Sequence, residues 1–246
     1  MRRAIRIVIA VVSVLALVAV GFLVWANIVF AGDREAALEV WRDDAVTVTS
    51  TDASIVMTPT DDATGLGLVF IPGAKVDPYA YMRNFRDAVA DEGLTVVITK
   101  PTLNLAFFDT RPLHDFTDPV PSVTSWMVGG HSLGGVRACQ LVDAVSAPPV
   151  DGLVLFGSYC ANDISESGIP VLSISGSNDG LSTPEKIEAA RPLLPADAFM
   201  VELDGANHAD FGDYGPQPGD GVSTMPRDEV RDGITAGLAT IVQFAG

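Results

Sequence analysis

The stretch Gly129-Gly130-His131-Ser132-Leu133-Gly134-Gly135 limits what this chain can fold into more than any other. A hydrophobic run, Trp126-Met127-Val128, leads into it, and a helix-compatible run, Val136 to Val142, leads out. A serine held on so tight a strand-to-helix turn projects its hydroxyl into open space. The backbone there is strained, and flanking side chains would collide, so Gly130 and Gly134 leave room and Gly135 lets the outgoing helix pack closely. The start of that helix points backbone N–H groups at the place where negative charge would develop. The alternative is a glycine-rich turn of any parallel sheet. The strand, G-x-S-x-G, helix order makes Ser132 a candidate nucleophile.

The chain has 246 residues, enough for one α/β domain and an appendage. Arg2, Arg3 and Arg6 are the only charges in the first thirty positions, so the remainder holds 12 basic and 31 acidic residues, a net charge of −19. Such a domain repels nucleic acid and anionic headgroups, and no basic cluster reverses this. The plain alternative is a solvated, solubilising surface. From Ile7 to Phe30 there is no charge, and only Ser13 and Asn27 are strongly polar. As a helix this stretch reaches about 36 Å at ~1.5 Å per residue, enough to cross a bilayer core of ~30 Å. The arginines in front place the N-terminus in the cytoplasm and the domain outside. Its length favours an uncleaved anchor over a signal peptide, whose apolar regions run about 7–15 residues. Val29-Phe30-Ala31 is a weak cleavage site, and either route exports the domain.

The rest of the chain alternates strands and helices. Residues 1–31 form the anchor and 32–45 a short amphipathic connector, and residues 46–246 form the domain. Val46–Thr49 and Ser54–Met57 read as a β-hairpin. Leu66–Ile71, Leu94–Ile98, Gly152–Phe156 and Val171–Ser175 are apolar runs suited to strands buried on both faces. Phe199–Leu203 reads as the last strand. Helices are expected over Tyr79–Glu92, after Thr183-Pro184-Glu185, and over Val230–Phe244. This order implies a mostly parallel sheet with an antiparallel edge. The short stretch between Gly157 and Pro170 leaves no room for a large lid.

A serine hydroxyl needs a base, and the base needs an orienting acid. There are three histidines. His131 rides on the serine's own turn and is read as packing, and His114 precedes the nucleophile in an irregular segment. His208 follows the final strand, where open α/β sheets place their sites. Asp179, in Gly176-Ser177-Asn178-Asp179-Gly180, follows the Val171 strand. Asp163, Asp204 and Asp210 are the other candidate acids. An imidazole base must be neutral, so activity is expected to fall as pH drops through the ordinary imidazole range, roughly 6–7. Leu133 N–H is one oxyanion donor, and Ala74 N–H, in Pro72-Gly73-Ala74-Lys75, is the expected second, with Lys75 N–H the alternative. Lys75, Tyr159, Phe107 and Phe211 are candidates to line a substrate pocket, with core packing the alternative for the aromatics. Cys139 and Cys160 could form one disulfide in an exported domain. Spacing does not choose between that and two separate thiols. No metal-ligand spacing or cofactor motif is present.

Pro72–Pro78, Pro101–Ala106, Gly130–Gly135, Ser177–Gly180 and Asn207–Gly215 together resemble bacterial α/β-hydrolases of the small, lid-poor fold-5 group. The resemblance covers roughly residues 50–245. It implies an α/β-hydrolase fold: a mostly parallel central sheet with helices on both faces, here preceded by one transmembrane helix. It also implies Ser132 as nucleophile, Asp179 as acid and His208 as base. Dienelactone hydrolases share that fold with a cysteine at the elbow, so Ser132 argues against their activity. The expected function is a membrane-anchored, extracytoplasmic serine hydrolase of small carboxylic esters. Amide or peptide hydrolysis by the same triad and a non-catalytic, ligand-binding hydrolase-like protein are the alternatives.

Overall fold

The computed structural model describes residues 2–143 and 148–245. In chain order the elements are α1 (Arg2–Asn27), α2 (Arg34–Trp41), β1 (Val46–Ser50), β2 (Ser54–Pro59), β3 (Leu66–Ile71), α3 (Met82–Ala90) and β4 (Thr95–Thr99). Then come α4 (His114–Thr117), β5 (Ser125–His131), α5 (Leu133–Asp143), β6 (Gly152–Phe156), β7 (Val171–Gly176), α6 (Pro184–Ala190), β8 (Phe199–Leu203) and α7 (Arg227–Val242). The eight strands form one sheet in the order β1-β2-β4-β3-β5-β6-β7-β8. β2 runs antiparallel to both its neighbours, and every other pair is parallel.

Burial follows from position in the sheet. β3, β4, β6 and β7 are buried at every residue, because helices cover both faces and their continuous apolar runs leave nothing for water. β8 lies at the edge, and its exposure alternates along the strand. One core, with Phe70, Tyr81, Phe85, Phe156, Ile174 and Leu238, lies under α2, α3 and α7. The other, with Val69, Val128, Leu153, Leu155, Ala138 and Cys139, lies under α5.

Several boundaries depart from the sequence reading. α7 begins at Arg227 rather than Val230, because Asp228 and Glu229 fill its first turn, where carboxylates suit the helix dipole. α2, in the expected connector, buries Ala37 and Val40, and Asp33 caps it by accepting from the N–H groups of Glu35 and Ala36. Thr183 takes the N-cap backbone of α6 but makes no side-chain cap bond. α1 is long and apolar enough to cross a membrane, with a mean hydropathy of 3.2. It stops at Asn27 rather than Phe30, because Phe30 leaves the helix to form a parallel bridge with Val76.

The parallel strands all end at one edge. The loops after β3, β4, β5, β6, β7 and β8 gather there, which is where open α/β sheets place their ligands.

Candidate active site

β5 delivers Ser132 onto the turn that the glycines predict. Its φ is +52°, in the left-handed region that a residue with a Cβ rarely enters. Strain of that kind costs on the order of 1–3 kcal/mol and persists only where the surroundings enforce it. The enforcement is visible. Ser132 N–H donates to the Phe156 carbonyl at 3.0 Å, and the Ser132 carbonyl accepts from Gly135 N–H at 3.0 Å and from the Ser158 hydroxyl at 2.7 Å. A Cβ on Gly130 would lie 2.4 Å from the Gly134 carbonyl carbon, and one on Gly134 would lie 2.1 Å from the Ile71 carbonyl oxygen. The helix start therefore presses against the end of β3, beside the Pro72–Lys75 loop.

Asp179 and His208 meet as their order predicts. Asp179 Oδ2 faces His208 Nδ1 at 2.8 Å, and the two residues are 3% and 1% exposed. Asp179 Oδ1 accepts from the N–H groups of Leu181 and Ser182 at 2.8 and 2.7 Å, which fixes the carboxylate plane. With the carboxylate accepting at Nδ1, the ring proton belongs there and Nε2 is left bare. Nε2 is buried and has no hydrogen-bond partner, and Ser132 Oγ makes no hydrogen bond among the described residues. Bonds of this type often close only around substrate. The neighbourhood is nonetheless shared: the His131 ring, next to Ser132 in the chain, lies 4.4 Å from the His208 ring, centroid to centroid.

His131 does more than fill space. Gly73 N–H donates to the Tyr81 hydroxyl at 2.9 Å, and that hydroxyl lies 2.9 Å from His131 Nδ1. The hydroxyl proton is thus free for Nδ1, and the chain Gly73, Tyr81, His131 braces the Pro72–Lys75 loop from beneath. Burial first, then the neighbouring His208 ring, holds His131 well below the ordinary imidazole range, so it is neutral and cannot compete as the base at neutral pH. Burial likewise pushes the Tyr81 phenol up, keeping its proton in place.

The loop above that brace carries the oxyanion candidates. Neither Leu133 N–H nor Ala74 N–H donates a hydrogen bond among the described residues, so both remain free. Lys75 N–H, the alternative donor, is engaged with the Asn104 carbonyl at 2.8 Å and is excluded. Lys75, Leu103 and Asn104 also have φ near +60°, so strained backbone gathers in the loops after β3 and β4 as well as at Ser132. Neither a lysine nor a leucine signals that conformation in a sequence.

Other sequence candidates fall elsewhere. Asp163 accepts from Ser165 N–H on the surface, Asp204 accepts from the Ser177 hydroxyl, and Asp210 closes a capping box with Asn207. His114 is half-exposed beside Asp115. Phe211 is fully buried in the core, 5.9 Å from the Phe156 ring, and does not line a pocket, because its short helix turns it inward beneath His208. Tyr159 is half-buried directly after Ser158, and Phe107 is about half exposed on the loop after β4. Lys75 places its ammonium over the Trp25 ring at 4.3 Å. Cys139 of α5 and Cys160 of the loop after β6 form a disulfide, with Cα atoms 5.6 Å apart. Among the described residues, no cluster of His, Cys, Asp and Glu could hold a metal ion.

Asp220 was not visible as a site residue in the sequence. Its Oδ1 accepts from His208 N–H and Gly180 N–H, both at 3.1 Å, and its Oδ2 accepts from Ala209 N–H at 2.9 Å. One carboxylate thus fastens the acid loop to the base loop. Its setting, Pro216-Gln217-Pro218-Gly219-Asp220-Gly221, reads as an ordinary turn, and only the fold brings it across.

Comparison with solved structures supports the fold. A serine hydrolase homologue from Coxiella burnetii is 12% identical with a TM-score of 0.53, over 79% of this chain and 97% of that one. The esterase domain of a Rhodothermus marinus protein is 13% identical with a TM-score of 0.56, over 82% and 99%. Est1E from Butyrivibrio proteoclasticus is 12% identical with a TM-score of 0.55, over 81% and 100%. No curated protein sequence matches. The profile of the alpha/beta hydrolase family matches residues 67–232, which span the elbow, Asp179 and His208 and make up more than half of the chain. With the sheet order and the elbow in place, that match shows that the chain belongs to the alpha/beta hydrolase family.

Proposed function

We propose that this chain is a membrane-anchored serine hydrolase of carboxylic esters whose domain works outside the cytoplasm. The observation that carries the reading is the buried Asp179–His208 pair at 2.8 Å, set beside a serine held at positive φ. Ser132 Oγ attacks the ester carbonyl carbon while its proton passes to His208 Nε2. Asp179 holds the imidazole in the required tautomer and stabilises the imidazolium. The carbonyl oxygen gains a negative charge, and Leu133 and Ala74 N–H groups receive it. The tetrahedral centre collapses, the carbon–oxygen bond to the alcohol breaks, and His208 returns its proton to the departing oxygen. Water then attacks the acyl-enzyme with His208 as base, releasing the acid and restoring Ser132. Free N–H groups at Leu133 and Ala74 support this assignment. Anchoring rests on the length and apolarity of α1, with the arginines before it and the acidic domain after.

The test is covalent labelling by a fluorophosphonate, which reacts only with an activated serine. The full chain is expected to label and Ser132→Ala is not. An ester panel run beside an amide panel then assigns the chemistry. A folded parent that fails to label would overturn the reading.

A further inference from the structure

The end of α1 is joined to the loops that frame the reaction site. The Asn104 side chain donates to the Ala26 carbonyl at 3.1 Å, and Ala26 is fully buried. The Lys75 ammonium sits over Trp25, and the Phe108 ring lies 5.8 Å from the Phe22 ring. Phe30 N–H donates to the Lys75 carbonyl at 2.7 Å, and the Phe30 carbonyl accepts from Asp77 N–H at 3.0 Å. The loop carrying the Ala74 donor is therefore tied by backbone bonds to the segment that emerges from the helix.

Helix geometry converts these contacts into depth. A bilayer core of ~30 Å takes about 20 helical residues, so a span that starts at Ile7, after the last arginine, reaches its far boundary near Ala26. Trp25 and Asn27 then stand at the headgroup level, where tryptophan concentrates. Phe22 lies about 6 Å deeper than Ala26, within the ~5–10 Å reached by apolar groups that rest in the interface. Phe108 packs against Phe22 and is half exposed, and Phe107 beside it is about as exposed. Two bare phenylalanines at that level have the outer leaflet as their solvent.

We infer that the reaction site is held against the outer leaflet, with the Phe107–Phe108 loop dipping into it, and that its substrate is an ester carried by a bilayer lipid. This rests on the hydrolase reading above and narrows its substrate. Lipid ester carbonyls lie at the boundary between hydrocarbon and headgroup, the level at which α1 holds the Pro72–Lys75 loop. The net −19 of the chain after Phe30 disfavours anionic headgroups, so a neutral glycerolipid such as a diacylglycerol suits the surface best. The same contacts require α1 to be retained, because cleavage after Ala31 would remove Phe22, Trp25, Ala26 and Phe30 together.

The test uses the full chain in vesicles of ether-linked phosphatidylcholine, which offers no carboxylic ester. Two fluorophosphonates are compared, one with a long alkyl chain that resides in the bilayer and one short and water-soluble. Phe108→Ser is expected to slow labelling by the bilayer probe about tenfold, the loss of one interfacial aromatic anchor, and to leave the soluble probe within about twofold. The soluble probe also reports that the variant is folded. Equal slowing of both probes, or of neither, overturns the membrane inference and leaves the serine hydrolase intact. A membrane-bound chain that begins after Ala31 overturns it as well. Failure of both probes to label Ser132 overturns the hydrolase reading, and the inference with it, whereas a parent labelled by the soluble probe and not by the bilayer probe overturns the inference alone.

Discussion

Tyr81 shows how much of the site hangs on a single hydroxyl. It accepts from Gly73 N–H and faces His131 Nδ1, with no solvent near. Tyr81→Phe leaves a buried N–H unpaired, which costs about 1–3 kcal/mol. It also frees the loop that carries Ala74 N–H. The expected result is a kcat lowered roughly tenfold with KM little changed, since the donor matters most once charge has developed. Steady-state kinetics with an urea unfolding curve separates the two effects. His131 carries a pH signature. Its folded pKa lies below the ordinary imidazole value of about 6.5, so the unfolded chain binds the proton first. The stability it supports is present above about pH 6.5 and is lost as pH falls from there towards the depressed folded value. His131→Asn keeps an acceptor for Tyr81 but removes the titration. The parent's unfolding free energy should drop more steeply between pH 6.5 and 5, by up to about 1.4 kcal/mol per pH unit relative to the variant.

At the scale of elements, the site is a meeting of loops that the sheet brings to one edge. The sheet order puts β3 beside β5, and β7 beside β8, so the Pro72–Lys75 loop adjoins the elbow and the Asp179 loop adjoins the His208 loop. Asp220 supplies the fastening between the last two. Asp220→Ala leaves the N–H groups of Gly180, His208 and Ala209 without their acceptor. Water can reach a half-exposed position, so the stability loss should be modest, about 1 kcal/mol. The rate loss should be larger, about 10–100-fold in kcat, because small misplacements of an acid–base pair are costly. Fluorophosphonate labelling rate and kcat should fall together. A variant that loses stability without loss of rate would show that Asp220 only tethers the loop. The Cys139–Cys160 disulfide performs a related task on the other side of the elbow, tying α5 to the loop after β6.

The molecule as a whole has a seam between α1 and the rest of the chain, and contacts cross it on the near side of residue 31. Phe30 pairs with Lys75 and Asp77, and its ring lies 6.0 Å from that of Tyr214. A chain of residues 28–246 should therefore melt higher than one of residues 32–246. Two backbone bonds at about 1 kcal/mol each correspond to a difference of about 4–8 °C in a domain of this size. Calorimetry on the two truncated chains checks it. Equal melting temperatures would mean that the Phe30 pairing adds nothing to the fold.

Much of this was legible along the chain. The elbow was readable because its glycines answer a local steric demand, and the strands because burial on both faces leaves unbroken apolar runs. Ser132, Asp179 and His208 could be singled out as candidates because each follows the end of a strand. Other features depend on residues far apart in the chain. Phe211 stayed open between pocket and core because an aromatic beside the His208 loop reads the same whether it turns in or out, and the fold turns it in. Asp220, Asn104 and Tyr81 were silent because their partners lie 8 to 78 positions away and their flanking residues are those of ordinary loops or helices. Local sterics and hydrophobic pattern determined the fold, and marked the three candidate side chains, from sequence alone. Only the tertiary structure decided what braces them, and which loops meet the end of α1, since contacts across the fold leave no periodicity to read.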